Sequence, residues 1–477
     1  MTYNPDNHYR CTIIRGKSQR EMDDLLPAYA GIITDICPCE RKAFDDQFNN
    51  ELSQTLYQNS YDNLSADHKK TIRNHITEVA GKLLGLYWSD EQEHVYASES
   101  AEKLLADNDQ PAFFKNLCLN FQFPNGSQKI QTVQERIRDG ICFKPFHFIV
   151  TLLSLARGND LVISKNELAF YVLSSLDVLR GEVCPQDVLQ CILAGRGDGE
   201  DHRLPSGSYD NQHIKEQLNL LELANIIRQV NGEIHLNTRE TATIQNFLTE
   251  FPKPLKFDIG GYDLSSVTEK KRMYSEWSLY YGSIHVTPES LATSISSLQP
   301  NATPDREEAP DNQVETAAAD ARVELGDAGE LLVYNMEKTR VRSSHPRLEN
   351  KVLLLGKQRG LGYDISSVEA AENCEEPEFA RFIEVKSTKR TTAPNIEDTS
   401  WFDTINLTRK EWIAAKQYRT AYNIYRVYYT TANVVIRKIT DPYTKNETHI
   451  INVLPTMYRM DFSATAIDKE YLPHENV

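Results

Sequence analysis

The 477-residue sequence has no run of consecutive apolar residues approaching the roughly 18 to 20 that a membrane-spanning helix requires. Its start, MTYNPDNHYRC, lacks the basic n-region and apolar h-region of a secretory leader, so the expected location is cytoplasmic, with no membrane partner. Cysteine is scarce and thinly spread, eight residues in all, which fits reduced thiols in a large intracellular chain better than a disulfide framework. The one close pair, Cys37 and Cys39, has no second CxxC or HxxxH to complete a tetrahedral set, so two thiols beside a helix entry are preferred to a zinc site. Positive charge is short as well. The chain has 52 Lys and Arg against 68 Asp and Glu, a net −16, which excludes a protein that wraps nucleic acid with its whole surface. The deficit is uneven: from Asp327 onward 21 basic residues stand against 21 acidic ones, so phosphate contacts there have to be local. No complete GxxxxGK[ST] phosphate loop is present, since GKS at 16–18 has Cys11 where the first Gly would stand, and any ATP-driven step belongs to another protein. AGRGDGEDHRLPSGSYDN (194–211) lacks that ending and the EF-hand ligand pattern, and reads as a flexible loop, while GKQRGLG (356–362) reads as a hairpin turn.

What is present is an ordinary balance, 40% hydrophobic and 25% charged, in a chain long enough for several domains. Segments such as KAFDDQFNNELSQTLYQ and FHFIVTLLSLARG carry apolar residues at helical spacing. ISKNELAFYVLSSLDVLRG opens with Ser164 and has Glu167 three residues on, a capping-box signature. NQHIKEQLNLLELANIIRQVNGEIHLN passes from helical periodicity into two short strands joined at Asn231-Gly232, a strong hairpin signal, and helices followed by such a hairpin suggest a winged-helix module. Residues 296–327, rich in Pro, Ala, Asp and Glu and poor in large apolar side chains, read as a linker. The expected class is therefore multidomain α+β. A helical region spans 1–144, a winged-helix module 145–295 and the acidic linker 296–327. A C-terminal domain with a mixed central sheet, an α/β fold, follows over 328–477. DNA contacts expected in the N-terminal part are Lys69, Lys70, Arg73 and Asn74 on an early helix and Lys215, Arg228 and Gln229 by the hairpin.

In the C-terminal part GELLVYNMEKTRV reads as a helix bearing Glu330 near its start, and KVLLLG, GYDISS and RFIEVKS read as three strands. LTRKEWIAAKQYRTA reads as a helix capped by Thr408 with Glu411 three residues on, followed by the strands YNIYRVYYT and NVVIRKI. Residues two apart on a strand share a face, so Glu384 and Lys386 sit together while Val385 points away. Burying that pair without a use costs several kcal/mol in desolvation. Phosphodiester hydrolysis supplies a use. It needs a divalent ion on hard oxygen ligands, an activated water, and positive charge for the phosphoryl oxygens.

The blocks GE…V…EK, GYDI.S, IEVKST and LT..EW..A…Y.IYRV, in this order from Gly329 to Val427, resemble the PD-(D/E)XK nuclease superfamily with its restriction-endonuclease-like fold. Within it they resemble the family found at the C-terminus of the plant protein NO VEIN. Tyr363 stands where the superfamily's name has Pro. The resemblance implies an Mg²⁺- or Mn²⁺-dependent endonuclease in which Asp364, Glu384 and the Val385 carbonyl bind the metal. Lys386 would orient or help deprotonate the water, with Glu330 as an outer carboxylate or a ligand to a second metal. Lys389, Arg390, Arg409, Lys410, Lys416, Gln417 and Arg419, with Lys357 and Arg359, are expected to line a phosphate-tracking groove. KKTIRNHITEV and KPFHFIVTLLSLA resemble helical recognition regions of restriction enzymes that separate recognition from cleavage. The expected function is restriction or anti-phage DNA cleavage by a homodimer or higher oligomer. The alternatives are an inactive nuclease fold holding DNA for a helicase or ATPase, and an RNase.

Overall fold

The computed structural model describes residues 17–198, 202–204, 209–298, 314–356, 360–371, 376–454 and 458–471. Both predicted capping boxes form. Ser164 Oγ accepts the Glu167 N–H while the Glu167 carboxylate accepts the Ser164 N–H, and Thr408 and Glu411 exchange the same pair of bonds. The result is a mixed α+β molecule, and among the described residues no helix is long and apolar enough to cross a membrane.

The N-terminal half is helical, with α1 (Gln19–Ile36), α2 (Glu99–Asp107), α3 (Gln110–Asn120), α4 (Pro145–Arg157) and α5 (Tyr209–Leu223) among its elements. One apolar cluster runs through it from Met22 to Leu291, so the expected boundary near residue 145 does not divide the core: Phe146 of α4 packs on Phe121, ring centres 5.3 Å apart. Three short strands, β1 (Ile163–Ser164), β2 (Ile227–Val230) and β3 (Glu233–Leu236), form an antiparallel sheet in the order β1-β3-β2. The β2–β3 turn falls at Asn231 (φ 53°) and Gly232 (φ 87°), the pair of positive φ values a two-residue hairpin needs. The expected loop from Ala194 begins inside a helix, Pro185–Asp198, and its parts 199–201 and 205–208 lie outside the described residues.

The expected linker shrinks from both ends. Leu298 is fully buried in the C-terminal core, and from Val314 the chain is already in α6 (Val314–Ser344), as VETAAADARVE is rich in alanine and glutamate, both strong helix formers. Its middle, 299–313, lies outside the described residues.

The C-terminal half is a six-stranded sheet of β4 (Leu353–Leu354), β5 (Ile365–Val368), β6 (Ala380–Lys389), β8 (Tyr422–Tyr429), β9 (Val434–Thr440) and β12 (Lys469–Tyr471), in the order β12-β9-β8-β6-β5-β4. Only the central β6–β8 pair is parallel, so the sheet is mixed. A second sheet, β7-β11-β10, built from β7 (Phe402–Leu407), β10 (Ile451–Leu454) and β11 (Tyr458–Ser463), has no counterpart in the predicted strands. The alternation of β6 sorts its side chains. Ile383 and Val385 share a core with Val333 and Val341 of α6, while Phe382 joins the core on the other face with Ala414 and Ala415 of α7 (Arg409–Tyr418). Gly329 lets α6 approach β6 closely, since a Cβ there would stand 1.9 Å from Ser387 Oγ.

Candidate active site

Asp364 ends the turn that leads into β5, and three backbone and side-chain bonds fix it. Its N–H donates to the Ile383 carbonyl (2.9 Å), its carbonyl accepts the Leu355 N–H (2.6 Å), and its Oδ2 accepts the Val385 N–H (2.8 Å). The next residue along β6 from Ile383, on the opposite face, is Glu384. Its carboxylate Oε1 lies 2.7 Å from Lys386 Nζ, so the pair does share a face. Lys386 Nζ has a second carboxylate, Glu411 Oε2 of α7, at 2.9 Å.

Three carboxyl groups thus surround one ammonium in a buried corner. Burial, with the charges of Asp364 and Glu411, holds the Glu384 carboxyl well above the usual carboxylate range, although Lys386 opposes this. Burial also raises Asp364, against its bond from Val385. For Lys386 burial alone would favour the neutral amine, but Glu384 and Glu411 outweigh it and raise its pKa. With all three carboxyls ionised the cluster carries net negative charge, and a divalent cation on the hard oxygens of Asp364 and Glu384 would neutralise it. Among the described residues no three His, Cys, Asp or Glu side chains form a ready metal cage. The set matches a cation that takes one or two carboxylates and completes its shell with water and substrate oxygens.

Lys386 lines a cleft of about 730 Å³ between the two halves. Arg426, Asn406 and Thr408 belong to the C-terminal side, and Lys103, Asp107 and Asp109 at the end of α2 to the other. Arg426 of β8 steadies the floor, donating from Nη1 to the Lys386 carbonyl (3.3 Å) and from Nε to Asp403 of β7 (2.8 Å), which also accepts the Tyr428 hydroxyl (2.7 Å).

Not every predicted site residue joins this cluster. Glu330 lies over Gly356, just past β4, where an added Cβ would meet its Oε2 at 2.1 Å. Lys389 borders the same cleft, but neither it nor Arg390 is exposed. They are 2% and 1% exposed, because the N-terminal half covers them. Lys389 Nζ lies 3.4 Å from Asp109 and donates to the Thr293 carbonyl, and its N–H donates to Asn108 (3.0 Å). Arg390 pairs with Asp24 (2.7 Å) and Asp23 (3.8 Å) of α1, and Thr392 donates its N–H to Asp23 (2.9 Å). Arg409, Lys410, Lys416 and Gln417 are exposed on α7, while Arg419 pairs with Glu447. Lys357 and Arg359 lie outside the described residues.

On the N-terminal half Lys70, Arg73, Asn74 and Lys215 are exposed. Lys69 donates to the Asp62 carbonyl, half-buried Arg228 to the Leu298 carbonyl, and Gln229 to Glu222. Three participants were missed by the sequence reading. Glu411 was explained by its cap alone, and nothing in the spacing of Asp403 and Arg426, on strands of different sheets, points to a pair.

The geometry can be set beside known proteins. The family described as restriction endonuclease BpuJI, N terminal, matches residues 3–278, and the family described as protein NO VEIN, C-terminal, matches residues 329–439. A crystal structure of pyrene- and phenanthrene-modified DNA in complex with the BpuJ1 endonuclease binding domain is similar to this chain, with 41% identity and a TM-score of 0.54. The match covers 59% of this chain and 100% of that one. No curated protein matches. With more than half of its length matched, the chain belongs to the BpuJI N-terminal restriction endonuclease family, followed by a segment similar to the C-terminal domain of NO VEIN.

Proposed function

We propose that the protein is a metal-dependent DNA endonuclease whose N-terminal half recognises DNA and whose C-terminal half cuts it as a PD-(D/E)XK nuclease. The observation that carries this reading is the Glu384–Lys386 pair, 2.7 Å apart on the face of β6 next to Asp364. It is supported by family membership and by the DNA bound to the BpuJ1 binding domain. Asp364, Glu384 and the Val385 carbonyl would hold Mg²⁺ or Mn²⁺, with Glu330 as the outer carboxylate. When bound, the ion supplies an activated water and Lewis-acid polarisation of the phosphate. Lys386, reaching into the cleft, orients the attacking water and offsets charge developing on the phosphoryl oxygens.

Arg409, Lys410, Lys416 and Gln417 contact the backbone beside the cut. Lys69, Arg73 and Arg228, the last on the β2–β3 hairpin of a winged-helix-like module, serve the recognition half. One chain supplies one site, so cutting both strands calls for a second copy on the DNA. Restriction or anti-phage defence is the setting this chemistry suits.

The test is cleavage of plasmid and linear DNA, with RNA alongside, by wild type and Glu384→Ala in Mg²⁺, Mn²⁺ or EDTA. The expected result is cutting of DNA by wild type that EDTA and the substitution both abolish, with DNA binding retained. A second reading, a nuclease fold that holds DNA for a partner helicase or ATPase, is favoured by one fact. Only 4% of the Glu384 side chain is exposed, and its carboxylate is already ion-paired. DNA binding by wild type with no cutting in either metal would select that reading.

A further inference from the structure

Glu411 is the N3 residue of α7, and its Oε2 accepts two bonds, from the Thr408 N–H at 2.9 Å and from Lys386 Nζ at 2.9 Å. The first closes the capping box. A neutral amide would serve there equally well. The second is an ion pair and needs the charge. α7 is also pressed onto the segment that carries Asp364: Gly362, at φ 77°, would with a Cβ stand 2.6 Å from the Lys410 carbonyl. Glu411 is thus in register both with its own cap and with the turn two residues before Asp364.

Lys386 is a flexible side chain shared between two carboxylates on different elements. In the nuclease reading, on which this inference rests, Glu384 would share its oxygens between the cation and Nζ. Glu411 keeps its grip, because it is no metal ligand and its Oε2 is held by the Thr408 N–H of its own helix cap. We infer that Glu411 is the positioning residue of Lys386, holding the ammonium at the cleft while Glu384 serves the metal. It contacts neither substrate nor metal and acts only through Lys386.

Three proteins separate this role from capping. Glu411→Gln keeps the cap acceptor and removes the charge, and Thr408→Ala removes the cap and keeps the ion pair. Wild type and both variants are compared for kcat and KM on plasmid DNA in Mg²⁺ and for Tm. The expected result for Glu411→Gln is a kcat about 10- to 100-fold lower with KM and Tm unchanged. For Thr408→Ala the expected result is a lower Tm with a clearly smaller loss of kcat than in Glu411→Gln. A Glu411→Gln enzyme with the wild-type kcat, or a Thr408→Ala enzyme that loses as much kcat as Glu411→Gln, overturns the inference and leaves the nuclease reading standing. Wild type that binds DNA and cuts none of it overturns the nuclease reading and the inference together.

Discussion

His147 sits in the N-terminal core edge-on to Phe247, with 5.0 Å between ring centres, and among the described residues its Nδ1 has no hydrogen-bond partner. Burial, reinforced by Lys144 and Lys256, lowers its pKa to about 3, and burial lowers that of His75, bonded to the Tyr29 hydroxyl, to about 4. Unfolded histidine takes up its proton near pH ~6.5, so between that pH and these folded values unfolding binds protons and stability falls as the pH drops. Thermal unfolding should therefore show a lower midpoint at pH 5 than at pH 7.5, with a smaller drop in His147→Phe. Equal drops in the two proteins would rule out this histidine as the cause. Other residues show what a sequence can and cannot say at this scale. The shared face of Glu384 and Lys386 followed from strand parity alone. The fate of Lys389 and Arg390 did not, because a basic pair reads the same whether it meets solvent or the aspartates of another element.

α6 and β6 meet where neither has room to spare. Gly329→Ala should force the helix off Val385 and Ser387 and cost about 1–3 kcal/mol in chemical denaturation, the usual penalty of overpacking. Ser387→Gly in the same chain removes the clashing atoms, so the double variant should lose less than the sum of the two single losses. Simple additivity would mean that the helix and strand do not touch at this point. Of the elements around the site, β4, β5, β6, β8, β9 and α7 were legible from periodicity and from the Thr408–Glu411 cap. β7 was not, because its partner β11 lies far along the chain, with Phe402 opposite Ser463, and such non-local pairing leaves no local pattern. α6 was read from Gly329 onward although it begins at Val314, since an acidic, alanine-rich stretch has the composition of a linker and the propensity of a helix.

The two halves are joined by ion pairs that burial has made costly to break. Arg390→Ala would leave Asp23 and Asp24 buried without their cation, a loss of about 3–5 kcal/mol for this kind of site. The expected outcome is that scanning calorimetry resolves two unfolding transitions where wild type shows one, and that protease cuts between the halves faster. An unchanged thermogram would mean that the pairs contribute nothing to docking. Lys386 and Lys389 are three positions apart on β6, about 10 Å of extended chain, and a strand held in register by β8 along this whole stretch does not stretch. A shift of the N-terminal half against the sheet is thus either carried along β6 to Lys386 or ended by letting go at Asn108 and Asp109. The joint behaves as a latch rather than a spring: the halves move as one body or part company, with no graded setting in between.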